Sequence, residues 1–240
     1  MRALPTALLL LLCLSGCGAT GGPIGGSGQT FEFDFNNGAQ GWVAGFADYP
    51  VGEEAFFELD SGLRPLPAPL DQTRTGFFIT GNNHSDDLFM YLKGRLAELK
   101  PNTRYSVQFR VEFATNAPQG CVGVGGPPGE GVFVKAGATV IEPDRVVVQT
   151  GLRPDYVMNI DKGNQAQGGK DAIVLGNIAN SQTDCFNPSY EIKVLQNTVG
   201  TFSVRTDASG RLWLIVGTDS GFEGKTSLYY TKIRTTLWEE

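Results

Sequence analysis

A single histidine, His84, occurs in 240 residues, so the side chain best suited to moving protons at neutral pH is almost absent. None of the four cysteines has Cys-x-x-Cys spacing, and with one histidine that leaves no ligand set for a tetrahedral zinc. The apolar run over 8–14 is far shorter than the ~20 residues a membrane-spanning helix needs. Positive charge is scarce: 19 Lys and Arg face 25 Asp and Glu, a formal net charge of −6 with no basic stripe. That balance argues against nucleic acid and against electrostatic docking on anionic lipid. Amphipathic helical periodicity is missing almost throughout; only 94–98 and 219–223 could hold a helical turn.

What is present begins with a signal peptide over 1–16: Arg2 supplies the positive end and 8–14 the apolar stretch. It closes on Leu14-Ser15-Gly16-Cys17, which resembles the lipobox of bacterial lipoproteins. The resemblance implies cleavage before Cys17 and lipidation of its sulfur with a diacylglycerol of palmitate-type chains. At ~0.8 kcal/mol per buried CH₂, two or three acyl chains hold a protein firmly to membrane lipid. Gly18 follows where inner-membrane retention signals carry Asp, so the same analogy places the protein in the cell envelope, extracytoplasmic, at the outer membrane or cell surface. Residues 17–30 then read as a flexible Gly-rich tether with a root-mean-square span of roughly 20 Å.

Residues 31–240 suffice for one large all-β domain, a single β-sandwich of the jelly-roll kind. Tyr105-Ser-Val-Gln-Phe-Arg-Val-Glu-Phe113 alternates strictly, with five apolar side chains on one face and four polar ones on the other. Further strands are expected over 30–35, 55–59, 76–80, 87–93, 132–135 and 145–149, then over 190–195, 201–206, 212–216 and 227–236. Cys121 and Cys185, the two cysteines beyond Cys17, most simply form one disulfide in an exported protein. It would pin the Gly/Pro loop over 120–131.

Three segments carry a family resemblance. Phe31-Glu-Phe-Asp-Phe-Asn-Asn-Gly-Ala-Gln-Gly-Trp42, Leu99-Lys-Pro-Asn-Thr-Arg-Tyr105 and Ser227-Leu-Tyr-Tyr-Thr-Lys-Ile233 resemble the opening, middle and closing strands of carbohydrate-binding modules with the galactose-binding-like jelly roll. The resemblance implies glycan binding without catalysis. Many of these modules place an Asp in the closing strand near a structural calcium, where this chain has Thr231-Lys232, so calcium at Glu32 or Asp34 is not expected.

Catalytic patterns fail on inspection. Glu223-Gly224-Lys225-Thr226 lacks the first glycine of a P-loop, because position 219 is Asp219, and no strand-to-helix unit surrounds it. Gly217-Thr218-Asp219-Ser220-Gly221 has no oxyanion-loop signature with it. Glu58-Leu59-Asp60 begins like a jelly-roll glycosidase strand, but Leu63 stands where its second acid belongs. Val132-Phe-Val-Lys-Ala-Gly137 partly echoes an alginate lyase strand without that family's other motifs, leaving His84 and Tyr91 as the only imaginable acid–base pair.

The stretch Gly81-Asn82-Asn83-His84-Ser85-Asp86-Asp87 is a turn-forming loop between apolar runs. Three readings stand. It can be a plain connection; it can hold calcium through Asp86 and Asp87, aided by Asn82 and Asn83; or it can fix sugar hydroxyls with Asn82, Asn83, His84, Asp86 and Asp87 beside an aromatic platform. Trp42 and Tyr49 are the candidate platforms, though such a tryptophan is more often core than platform and Tyr49 is the more exposed; Trp213 is expected in the core and Trp238 at a frayed end. A glycan-binding lipoprotein predicts an exposed aromatic ring beside this loop. An envelope lipoprotein that docks on a protein partner predicts buried tryptophans and an exposed apolar patch. An enzyme predicts a cleft holding a carboxylate, His84 or Tyr91 with a strongly shifted pKa.

Overall fold

The computed structural model describes residues 28–240; the stretch expected as a signal peptide, Cys17 and most of the stretch expected as a tether lie outside the described residues. Fifteen strands follow in order: β1 (Gln29–Asp34), β2 (Val43–Ala47), β3 (Tyr49–Pro50), β4 (Asp60–Pro65), β5 (Thr75–Asn82), β6 (Leu88–Leu96), β7 (Arg104–Thr115), β8 (Val132–Thr139), β9 (Arg145–Thr150), β10 (Arg153–Met158), β11 (Ala172–Asn177), β12 (Glu191–Gln196), β13 (Ser203–Arg205), β14 (Leu212–Ser220) and β15 (Lys225–Glu239). The one helical element among the described residues is a 3₁₀ turn, Phe35–Asn37. The all-β sandwich expected from the sequence is the fold.

One sheet runs β12-β7-β15-β5-β4, with β1 paired to β15 and β13 to β7; a second runs β11-β8-β14-β6-β2. Between them lies the core. β7 contributes the alternating set Tyr105, Val107, Phe109, Val111 and Phe113, and β14 answers with Leu212, Leu214 and Val216. In β15 the buried positions shift phase, from Leu228 and Tyr230 to Ile233 and Leu237, and a register break between Tyr230 and Lys232 absorbs the extra residue. Residues 28–240 therefore carry both sheets, the disulfide and a core of their own.

β6 is buried on both faces because a small third sheet, β3-β10-β9, and the segment over 159–171 cover the outer side of the second sheet. That explains why Leu-Phe-Met-Tyr-Leu reads as a continuous apolar run rather than an alternation. Residues 94–96 and 219–220, expected as helical turns, belong to β6 and β14, which pair with each other over their whole length. Residues 55–59, expected as a strand, are a compact turn: the amide of Phe57 donates to the Glu53 carbonyl at 2.9 Å and that of Leu59 to Glu54 at 3.2 Å. The turn sends Phe57 into the core and leaves Phe56 outside, 58% exposed.

Of the tryptophans, Trp42 takes the core alternative, while Trp213 and Trp238 differ from expectation. Trp42 is fully buried against Phe33 and Phe35, ring centroids 5.3 and 6.2 Å away. The room comes from Gly94, where a Cβ would lie 2.6 Å from the indole. Trp213 is half-exposed, because position 213 faces outward while Leu212 and Leu214 face the core. Trp238 is half-buried in β15, against Gly28 at the start of the described chain.

Candidate functional site

β15 sets a polarity for the molecule. Fifteen residues at ~3.3 Å each give it a length of roughly 50 Å. Gly28 lies beside Trp238 at one end, while Asn82 pairs with Lys225 at the other. The loop over 81–87, the turn bearing Phe56 and the disulfide-linked loops at Cys121 and Cys185 therefore gather at the end remote from the point where the chain enters.

Within the loop the polar side chains divide their work. Asn83 is buried and spent on structure: its amide nitrogen donates to the carbonyls of Ser220 (2.9 Å) and Phe222 (3.0 Å), and its oxygen accepts from the amides of Ser85 (3.1 Å) and Leu88 (3.3 Å). It clamps this loop to the β14–β15 connection and has no capacity left for a ligand. Asn82 donates to Glu58 Oε1 at 2.9 Å, and Lys225 Nζ lies 2.7 Å from Glu58 Oε2. Hydrogen bonds from Lys225 and Asn82 hold the Glu58 carboxyl below the usual carboxylate range. His84 is exposed and stacks on Phe56, ring centroids 4.1 Å apart at 25°, with Phe57 edge-on at 5.5 Å. Asp86, at φ +61°, is exposed, and its carbonyl accepts from Gln165 Nε2 at 2.9 Å.

Asp87 turns the other way, toward a buried charge cluster. Asp219 Oδ2 accepts from Lys135 Nζ (2.7 Å), Lys162 Nζ (2.8 Å) and the amide of Gln165 (3.0 Å). Lys162 Nζ also lies 2.9 Å from Asp48 Oδ2, and Lys135 Nζ donates to the carbonyls of Lys162 and Gln167. These contacts fasten 162–167 onto β8 and β14. Burial pushes the Asp87 carboxyl up to about 7, against the pull of Lys162 and with Asp219 and Asp48 adding to the rise. Burial raises Asp48 as well and lowers Lys135. Burial also pulls on Lys162, but Asp219 and Asp48 outweigh it and hold that ammonium above its ordinary range. The Oδ1 atoms of Asp87 and Asp219 are buried without another protein partner. Asp219 lies within hydrogen-bonding reach of Asp87, and a proton on the Asp87 carboxyl donated to Asp219 would leave two carboxylates against two ammoniums.

Tyr49 is buried rather than displayed. Its hydroxyl meets Arg145 and Glu54, and its ring packs on Phe57 and Tyr156. Arg145 lies over the Tyr156 ring at 3.8 Å, so the group ties the third sheet to the body of the domain. Two depressions flank it. One, of 710 Å³, has Asp48, Tyr49, Ser85, Asp87, Leu152 and Arg153 in its walls; the other, of 360 Å³, crosses the second sheet past Tyr91, Lys93 and Asp144.

Of the residues singled out from the sequence, the structure brings Asn82, His84, Asp86 and Asp87 to one end and removes Trp42, Tyr49 and Asn83 from any platform. Asp86 and Asp87 diverge, and among the described residues no three His, Cys, Asp or Glu side chains form a group able to hold a metal ion. At β1, Lys232 Nζ lies 3.2 Å from Glu32 and 3.3 Å from Asp34, supplying the cation there. His84 and Tyr91 are apart: His84 packs on Phe56 outside, Tyr91 on Phe89 beneath the third sheet. The disulfide joins Cys121 to Cys185, Cα atoms 5.8 Å apart. Sequence reasoning missed Phe56, Lys135, Lys162 and Asp219. Lone charges at 135 and 219 inside apolar strand runs were the available signal for two of them.

No family model matches this chain, and no curated protein matches it. Among solved structures, a β-sandwich carbohydrate-binding module described for its promiscuous specificity shares 11% identity over 83% of this chain, with a TM-score of 0.39. This chain spans 58% of that one. A carbohydrate-binding module specific for non-crystalline cellulose shares 14% over 86% of this chain and 91% of its own (TM-score 0.37). The K1 cleaved adhesin domain of Lys-gingipain from Porphyromonas gingivalis W83 shares 12% over 87% and 98% (TM-score 0.37). Likeness of this degree carries nothing about ligand or activity.

Proposed function

We propose that this protein is a non-catalytic glycan-binding module, held at the bacterial envelope by a lipid on Cys17 and facing away from the membrane. The observation that carries the reading is Phe56. Its ring is 58% exposed, backed on one side by His84 at 4.1 Å, and sits at the end of the sandwich remote from the chain's entry. A flat apolar ring with one supported face suits the apolar side of a pyranose, and Glu58, Asn82, Asp86 and Lys225 supply donors and acceptors for hydroxyls around it. The tether, expected over 17–30 but ending before Gln29 because β1 begins there, would leave that end outermost.

A protein-docking lipoprotein is the second reading, favoured by one observation: Val122 and Phe186, each next to a disulfide cysteine, are 98% and 94% exposed. A panel of soluble and insoluble glycans, with and without calcium, separates the two. Residues 28–240 are expected to bind at least one glycan, and Phe56→Ala to weaken that binding by ~10-fold or more while leaving the melting temperature unchanged. Silence across the panel, or binding indifferent to Phe56→Ala, would turn the assignment to protein docking.

A further inference from the structure

β9 is the outer strand of the third sheet: β10 lies on one side and, among the described residues, no strand on the other. Its sequence is Arg-Val-Val-Val-Gln-Thr, and Val146, Val147 and Val148 are 41%, 59% and 41% exposed. Proteins protect such edges with charge, proline or a bulge. Here no charge or proline occurs from 146 to 152, and the β9–β10 register runs without a break.

The direction of the free backbone groups follows from β10. The carbonyls of Pro154 and Tyr156 accept from Val51 (3.1 Å) and Asp48 (2.6 Å) on the far side, so they do not face β9. Their partners across the ladder are Gln149 and Val147. In an antiparallel pair, residues opposite such positions also direct their amide and carbonyl away. Val147 and Gln149 therefore present both groups outward. By the same alternation Arg145 presents its carbonyl, while its amide is taken by Asp144 Oδ1 at 2.8 Å.

We infer that two copies of this chain pair antiparallel through β9, with Val147 on the twofold axis. In that register Val147 faces Val147, Val146 faces Val148 and Arg145 faces Gln149, so valines meet only valines and no like charges oppose. The bonding parity agrees. The two Val147 residues exchange amide–carbonyl bonds, and each Gln149 amide reaches the opposite Arg145 carbonyl. A symmetric register centred on Val148 would keep no outward groups at its centre. This coincidence of the valine palindrome with the outward-bonding positions selects a second copy over an unrelated peptide. The result is one continuous sheet, β3-β10-β9 joined to its twin. An interface one strand wide is small, so the pairing is reversible.

Sedimentation of residues 28–240 across a concentration series tests it. The wild type is expected to pass from monomer to dimer as concentration rises. Val147→Pro removes an amide that plays no part in the β10 ladder, and outer strands accept proline at such positions; it is expected to weaken association by ~10-fold or more. Val147→Lys, which sets like charges across the axis, should do the same, and Val147→Thr, which keeps the backbone groups and β-branching, should still dimerise. If Val147→Pro does not fold, Val147→Lys alone decides. A wild type monomeric at every concentration, or a dimer that Val147→Lys leaves undiminished, overturns the inference.

Discussion

Asp87 and Phe56 lie at the same end of the molecule and have opposite fates. The Asp87 carboxyl faces Asp219, Asp48 and Lys162, with Lys135 behind them, and its pKa of about 7 lies well above that of a carboxyl in an unfolded chain. The native state then binds a proton that the unfolded state has lost, so stability falls as pH rises from about 4 through 7. Asp87→Asn keeps the donor toward Asp219 without titrating. It is expected to flatten that slope and to raise the melting temperature at pH 8 relative to wild type, as thermal melts across pH 4–8 would show; an unchanged slope would place the titration elsewhere. Phe56 was hidden in the sequence for a related reason. Phe56 and Phe57 are adjacent and chemically alike, and only the turn over 53–59 decides which one enters the core. Trp42 takes the core place that such residues favour, and Tyr49, expected to be the more exposed, is buried as well, because large aromatics with polar edges suit either surroundings.

Among the elements, alternation located β7 almost to its ends, and the long apolar runs located β5, β6 and β14. β2, β10 and β11 went unread because partly buried strands near glycine or proline carry little periodicity. The burial of both faces of β6 depends on the third sheet, whose position no local pattern announces. The opposite, core-facing side of β6 has a direct test at Gly94, where the strand lets the Trp42 indole approach its backbone. Gly94→Ala sets a Cβ 2.6 Å from the ring and is expected to destabilise by ~1–3 kcal/mol as an overpacked core, measured by urea unfolding. A variant as stable as wild type would mean that the indole has room to shift.

For the whole molecule the organising fact is polarity: the chain enters beside Trp238, and the loops over 53–59, 81–87, 120–126 and 183–187 gather near Lys225. The signal-peptide pattern, the cysteine at 17 and the pair Cys121 and Cys185 were readable as short local motifs, and of these the structure describes the disulfide. The proposed recognition surface was legible only as a loop, since it would be assembled from a turn at 56, a loop at 84 and a strand end at 225 that no local pattern joins. The central claim, that Phe56 and His84 form the ligand platform, has its own reporter. With one histidine in the chain, the imidazole Cε1–H gives a single, assignable proton resonance. Titrating glycans into residues 28–240 while following that resonance is the most direct test. A saturable shift, absent in Phe56→Ala, is the predicted result. A glycan that binds and leaves the His84 signal unmoved would contradict it.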